Sequence, residues 1–292
     1  MEAHGPGAPG LAFAGGVDAA EAAVLAVAGR LGGAGLHVCV GAAGALSDPD
    51  APGLLAERLL RSLPATEVAV TSDAVASHAG ALAGEAGVVL AVGTGTVALA
   101  AGPGGTWARV DGCGPWLGDE GSGAAIGRAG LAAALRAEDG RGPATALTAA
   151  AVACYGVPVP ALPGLIGSAA DPARETARFA APTVSAAGGG DPVAGLILDD
   201  AVAALLRTVH AAVARSGLPP PVMLALLGGV LRTGPAFTER LHAAFCTLPV
   251  RLTSPGGSAL DGARLLATDE RTIHERHVVR RRRPGQPGEA GC

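Results

Sequence analysis

Lysine is absent from this chain of 292 residues, and aromatic side chains make up only 2% of it. All 21 basic residues are therefore arginines, yet the formal net charge is −4. A protein that binds nucleic acid through its phosphates needs an excess of positive charge. The composition therefore predicts no nucleic-acid partner.

Cysteine pairs are also missing, because the five cysteines lie far apart and no C-x-x-C motif occurs. This spacing gives no indication of a zinc site or a cysteine-bound iron–sulfur cluster within one chain. Met1–Gly16 lacks a basic start and an apolar core, so reduced thiols and a cytoplasmic location are expected. The uncharged stretch Ala86–Ala108 is broken by glycine and proline, so no membrane partner is expected. The cysteines are Cys39, Cys113, Cys154, Cys246 and Cys292.

The sequence is instead rich in glycine (46) and proline (22), which separate short apolar runs. Leu36–Val40 and Glu67–Thr71 predict buried strands that alternate with helical stretches. This alternation predicts an α/β fold with a largely parallel sheet. Pro158–Gly167 is predicted to be a connector, and the run Arg280–Arg283 predicts a disordered basic tail.

A glycine–threonine tetrapeptide, Gly93-Thr94-Gly95-Thr96, lies between two apolar runs and predicts the turn of a β-hairpin. Glycines allow a ligand to approach the backbone closely, and N–H and hydroxyl groups in such a turn can bind phosphate. Many turns of this composition bind nothing. The pattern alone therefore leaves a plain turn and a phosphate site as alternatives.

Two adjacent carboxylates, Asp119 and Glu120, stand among glycines just before an alanine-rich helical run. They can be solvated charges that the helix dipole favours, or they can bind a substrate. Asp73 follows a predicted strand and is either the N-cap of the next helix or a carboxylate lining a ligand crevice. Gly228-Gly229 follows another buried strand and forms at least a strand-to-helix turn.

Taken in their order along the chain, these motifs resemble those of the N-acetylglucosamine kinase / BadF/BadG/BcrA/BcrD-type ATPase family. That family belongs to the sugar kinase, heat-shock ATPase and actin superfamily. The resemblance extends from about residue 41 to about residue 267. It implies a two-lobed, actin-like, ribonuclease H-like α/β fold. It also implies a cytoplasmic homodimer that uses ATP and Mg²⁺ to phosphorylate a hydroxyl of a small-molecule amino sugar, above all N-acetylglucosamine.

The resemblance also implies a role for each candidate residue, with none assigned as a metal ligand. Asp73 would accept the proton of the sugar hydroxyl, and Cys113 stands where the family commonly has tryptophan. The implied phosphate and ATP contacts are Gly93, Thr94, Gly95, Thr96, Gly228 and Gly229. The implied substrate contacts are Asp73, Gly112, Cys113, Gly114, Asp119 and Glu120.

The implied domains are a lobe over residues 1–85, a second lobe over 86–270, and the tail 271–292. Family members normally begin with an Asp-Gly-Gly-Gly-Thr hairpin that binds ATP phosphates and helps to place Mg²⁺. This sequence lacks that motif, so the N-terminal lobe is expected to be truncated, unless Met1 is not the true start. Two alternatives remain: an ATPase activator of a 2-hydroxyacyl-CoA dehydratase, for which the cysteines are poorly placed, and a non-catalytic sugar- or nucleotide-sensing relative.

Overall fold

The computed structural model describes residues 3–5, 7–31 and 35–283 of the chain. These residues form two compact units. The first consists of Met1–Ala86, Ala101–Gly105 and Pro255–Cys292, and the second of Gly87–Ala100 and Thr106–Ser254. This division differs from the expected second lobe of 86–270, because residues 255–283 belong to the first unit.

Strands and helices alternate along much of the chain, as the sequence predicts. The strands are β1 (Leu36–Gly41), β2 (Ala65–Thr71), β3 (Gly87–Val92), β4 (Thr96–Gly102), β5 (Thr106–Asp111), β6 (Val222–Leu227), β7 (Val250–Thr253) and β8 (Val279–Arg282). The helices are α1 (Gly16–Leu31), α2 (Ala51–Ser62), α3 (Asp73–Ala81), α4 (Gly123–Glu138), α5 (Leu147–Tyr155), α6 (Leu162–Gly167), α7 (Pro172–Ala177), α8 (Ala180–Gly188), α9 (Pro192–Ser216), α10 (Pro235–Phe245) and α11 (Ala259–Thr268).

The first unit contains a three-stranded sheet in the order β1-β2-β8. β1 and β2 are parallel, with Gly41 opposite Thr71, whereas β8 is antiparallel to β2. Because β2 is the central strand, most of its side chains are buried. Leu55 and Leu59 of α2 pack against them in an apolar core. Parallel pairing of β1 and β2 places their carboxyl ends at the same edge of the sheet.

The predicted disordered tail is wrong for residues 271–283, because β8 pairs with β2 and the short 3₁₀ helix Glu275–His277 precedes it. The guanidinium of Arg280 is buried and lies 2.6 Å from carboxylate oxygens of both Glu67 and Glu275. Such pairing offsets the cost of burying the charge. The rest of the predicted tail, residues 284–292, lies outside the described residues.

The second unit contains a five-stranded sheet in the order β5-β4-β3-β6-β7. β3, β6 and β7 are mutually parallel, and β3 and β4 form the predicted hairpin. Helices α4, α8, α9 and α10 contribute apolar residues to one core cluster with this sheet, including Ile126, Leu198 and Phe237. Pro158–Gly167 is not the predicted connector: a 3₁₀ turn leads into α6, where Leu162 is buried and a proline occupies the first turn.

No single helix in the described ranges has both the length and the apolar character needed to span a bilayer. The bent pair Leu147–Tyr155 and Val159–Gly167 meets that criterion jointly, on length and composition alone. The four described cysteines are free thiols, and Cys292 lies beyond the described residues.

Candidate functional site

The glycine–threonine turn between β3 and β4 is attached to the first turn of α4. The N–H of Gly93 donates to the carbonyl of Gly95 over 2.9 Å. The N–H of Gly123 donates to the carbonyl of Gly93 over 2.9 Å, and the N–H of Ala124 donates to that of Thr94 over 3.1 Å. The first free amides of α4 thus fix the position of the turn.

The same turn keeps an open side and an unused hydroxyl. A Cβ placed on Gly93 would meet no atom within 4 Å, and the Thr94 side chain is exposed. The Thr96 hydroxyl is buried, and its oxygen has no hydrogen-bond partner among the described residues. An unsatisfied buried hydroxyl is rare in folded proteins, and it suits a polar ligand group that completes the bond. The turn therefore fits a phosphate-bearing ligand.

The Gly228-Gly229 pair lies beside this turn, because β6 runs parallel to β3 with Leu227 opposite Ala91. Gly228 has φ +117°, and a Cβ there would overlap the carbonyl of Val92. Only glycine therefore fits at this position. Gly229 is exposed, with a clear face. Both glycine motifs thus sit at the carboxyl edge of parallel strands, where α/β sheets bind ligands.

Asp119 lies against the turn, and Glu120 does not. A Cβ placed on Gly95 would be 2.6 Å from Oδ2 of Asp119, so this carboxylate covers the glycine face. The Glu120 carboxylate instead pairs with Arg207 of α9 over 3.1 Å, at an exposed position. Of the two candidate carboxylates, the structure brings only Asp119 to the turn.

Asp111, at the end of β5, orders this segment, although no sequence motif singles it out. Its carboxylate accepts the N–H of Asp119 over 2.7 Å and the N–H of Glu120 over 2.9 Å. It also lies 3.4 Å from the N–H of Cys113. The only signal in the sequence was an aspartate just before a glycine, which is common in turns.

The candidate substrate contacts Gly112, Cys113 and Gly114 form the start of this loop. Both glycines have positive φ values, +73° and +83°, and the Cys113 side chain is exposed. Trp116, which follows shortly after, has 82% of its surface exposed. Neither residue is packed as a core side chain, so both are accessible to a ligand.

Asp73 belongs to the first unit, where it is the first residue of α3. The helix is capped by Ser72, whose hydroxyl accepts the N–H of Val75 over 3.0 Å, so Asp73 is not the N-cap. Among the described residues, the Asp73 carboxylate accepts a hydrogen bond from the neighbouring Ala74 N–H alone, over 2.8 Å, and the residue is exposed. It follows the carboxyl end of β2, close to Gly41 of β1. An apolar cavity of about 470 Å³ opens beside it, lined mainly by α1, β1 and α11.

Few side chains of the described residues are placed to bind Mg²⁺. Within the described ranges, no three side chains of histidine, cysteine, aspartate or glutamate are grouped to hold a metal ion. Mg²⁺ usually binds through one or two carboxylates together with water and substrate phosphates. Side chains of the described residues therefore do not form a closed metal cage, and Mg²⁺ here would be held largely by nucleotide phosphates and water.

Comparison with known proteins identifies a family and similar solved structures. The sequence model of the BadF/BadG/BcrA/BcrD ATPase family matches residues 13–245. A protein from Chromobacterium violaceum, provisionally named N-acetylglucosamine kinase, has a solved structure with 26% identity and a TM-score of 0.69, covering 90% of this chain and 88% of that one. A protein with the same provisional name from Porphyromonas gingivalis has 19% identity and a TM-score of 0.62, covering 87% and 85%. No curated protein sequence matches the chain.

The α/β fold is that of the sugar kinase and actin-like ATPase superfamily. The chain belongs to the BadF/BadG/BcrA/BcrD ATPase family.

Proposed function

We propose that this protein transfers the γ-phosphate of ATP to a hydroxyl of an amino sugar, and that the sugar is N-acetylglucosamine. The observation that carries the proposal is the side-by-side arrangement of the Gly93–Thr96 turn and Gly228-Gly229, with the Asp119 carboxylate against Gly95. The similarity to the Chromobacterium violaceum protein supports the choice of sugar.

In this proposal the second unit binds the nucleotide. Backbone N–H groups of the turn and the Thr96 hydroxyl bind the phosphates, while adenosine lies over Gly228-Gly229. Phosphoryl transfer requires positioning and charge neutralisation more than covalent help, and fixed donors of this kind supply both. Mg²⁺ enters with ATP as part of the substrate and neutralises phosphate charge.

Sugar recognition and proton removal are assigned to carboxylates. Asp119 accepts hydrogen bonds from sugar hydroxyls, and the neighbouring Gly112–Gly114 backbone and Glu120 are further contacts. Asp73 takes the proton of the reacting hydroxyl as its oxygen attacks the γ-phosphorus. The bond between that phosphorus and the β–γ bridging oxygen breaks, and ADP leaves with the electron pair.

The primary test is ADP release by the purified chain with Mg²⁺–ATP and a panel of sugars. We expect N-acetylglucosamine to stimulate turnover, and Asp73→Asn to lower kcat by at least about 100-fold. Asp50→Asn is the matched control, because Asp50 is an exposed aspartate at the start of α2 whose side chain makes no capping bond. Wild-type turnover no faster than that of Asp73→Asn with every sugar would contradict the proposal.

A second test addresses the phosphate turn through its open side. Gly93→Ala adds a methyl group where the protein offers no atom within 4 Å, so the free energy of unfolding should change by less than about 0.5 kcal/mol. If phosphate occupies that space, the KM for ATP should rise by about tenfold or more. An unchanged KM for ATP would remove the turn from the nucleotide site.

A non-catalytic sugar- or nucleotide-sensing protein is the second candidate. Thermal stabilisation by N-acetylglucosamine without any ADP release would support this alternative.

A further inference from the structure

Asp111 connects the end of β5 to the segment that carries Asp119. Its Oδ1 atom accepts the N–H of Asp119 over 2.7 Å, and its Oδ2 atom accepts the N–H of Glu120 over 2.9 Å. Both carboxylate oxygens are therefore used on consecutive amides eight and nine residues away. Hydrogen bonds to a charged acceptor are stronger than those between neutral groups.

The backbone that these bonds hold is strained. Asp119 has φ +55° and Asp111 has φ +62°, in the left-handed region that residues with a Cβ rarely occupy. Such a conformation persists only when the surrounding contacts fix it. Gly118 permits the close approach, because a Cβ there would overlap Oδ1 of Asp111.

This backbone conformation determines where the Asp119 carboxylate points. The carboxylate lies over Gly95, with Oδ2 2.6 Å from the position of a Cβ on that glycine. If the amides of Asp119 and Glu120 lost their acceptor, the left-handed conformation would lose its main support. The carboxylate would then leave the turn for part of the time.

We propose that Asp111 is a positioning residue that sets the affinity for the sugar by holding the Asp119 carboxylate over Gly95. This inference rests on the proposed sugar kinase function and adds to it a residue that touches neither sugar nor nucleotide. Its effect is specific: it acts on sugar binding through Asp119 and leaves nucleotide binding to the turn and Gly228-Gly229.

The kinetic test uses Asp111→Asn, which keeps the size of the side chain but points an NH₂ group at one of the two amides. We expect the KM for N-acetylglucosamine to rise about tenfold, equivalent to about 1.4 kcal/mol. kcat and the KM for ATP should stay within about twofold of wild type. In an Asp119→Asn background, the added Asp111→Asn change should alter the sugar KM by less than about twofold, because coupled residues are not additive.

A second readout does not depend on activity. Hydrogen exchange of the peptide covering residues 112–122 should be faster in Asp111→Asn, with other peptides of the second unit unchanged. Asp139→Asn is the control, because the Asp139 carboxylate also accepts a backbone N–H, that of Arg141, at an exposed turn. It should change neither the exchange of residues 112–122 nor the sugar KM.

The two readouts separate the two hypotheses. If the wild-type chain neither binds nor phosphorylates any sugar, the proposed function fails, and the exchange result alone decides whether Asp111 holds the loop. Unchanged exchange in Asp111→Asn overturns the positioning role. In an active enzyme, faster exchange with an unchanged sugar KM also overturns it, while the kinase assignment stands.

Discussion

Nδ1 of His78 lies 2.9 Å from Nε2 of His274, which joins α3 to a segment 196 residues further along the chain. Both imidazoles are fully buried in the first unit. Burial, together with the neighbouring His78 and His277, lowers the pKa of His274 to about 3. His274 is therefore neutral in the folded protein at physiological pH.

The buried His274 makes the first unit less stable in mild acid. The pKa of His274 is about 3 in the folded chain and near 6.5 when unfolded, so the unfolded chain binds more protons between these pH values. Stability is thus lost as pH falls below about 6.5, by about 2 kcal/mol between pH 7 and pH 5. Urea unfolding at the two pH values measures this loss. In His274→Gln the free energy of unfolding should depend less on pH. His210→Gln, at an exposed site on α9, is the control and should show the wild-type pH dependence. A free energy of unfolding that is the same at pH 7 and pH 5 in the wild type would contradict the prediction.

Glu67→Gln should strongly destabilise the first unit. The Glu67 carboxylate is buried and lies 2.6 Å from nitrogen atoms of both Arg280 and Arg282. Burial raises its pKa, but hydrogen bonds from the two arginines outweigh this and lower the pKa overall. Removing the charge leaves Arg280 without one of its counterions, and breaking a buried pair costs about 3–5 kcal/mol.

The matched control for that prediction is Glu57→Gln, because Glu57 pairs with Arg281 of the same strand over 3.0 Å at an exposed position. Loss of this exposed ion pair should lower the free energy of unfolding by less than about 1 kcal/mol. Urea unfolding compares the two variants. Similar losses of unfolding free energy would show that the buried Glu67 ion pairs contribute no more to stability than an exposed one.

Asp191→Ala should lower the free energy of unfolding by about 2–3 kcal/mol, because one carboxylate accepts hydrogen bonds at the start of two helices. Oδ1 accepts the N–H of Ala194 in α9, and Oδ2 accepts the Thr145 hydroxyl and the Ala146 N–H before α5. Asp171→Ala is the control, since Asp171 caps only the short α7 and should cost about 1 kcal/mol. Thermal unfolding followed by circular dichroism separates the two, and equal losses would argue against the double role.

Gly80→Ala should disrupt the packing of α3 against α11, because the added Cβ would overlap the carbonyl of Ser258. Neither backbone can yield easily, so a loss of more than about 3 kcal/mol or a failure to fold is expected. Gly164→Ala in α6 is the control, since its Cβ would meet nothing within 4 Å and should be neutral or stabilising by up to about 1 kcal/mol. A well-folded Gly80→Ala protein with wild-type stability would refute the close contact.

Much of the fold could be predicted from local sequence. The hairpin around Gly93–Thr96 and the parallel strands β1, β2 and β6 follow from apolar runs ended by turn residues. The start of α9 is likewise a local signal, because Asp191 is the N-cap and Pro192 follows it in the first turn. The start of α11 is another local signal, because Ser258 is the N-cap and forms a capping box with Asp261.

The parts that could not be predicted depend on contacts distant in sequence. The arginines of β8 have the composition of a solvated tail. Their burial depends on an ion pair with Glu67, which lies more than 200 residues earlier in the sequence. Asp111 shows the same limit in the candidate site, because its role rests on amides eight and nine residues away in an irregular loop. Patterns of period 2 or 3.6 carry no information about such bonds.

Pairing of β8 with β2 also has a consequence for biosynthesis. The first unit is built from segments on both sides of the second unit in sequence, because β1 and β2 precede it and β8 (Val279–Arg282) follows it. A ribosome must therefore release the whole inserted second unit before Glu67 meets its arginines. During that interval the early strands β1 and β2 are exposed as an unfinished sheet, and they depend on rapid burial or on chaperones to avoid aggregation.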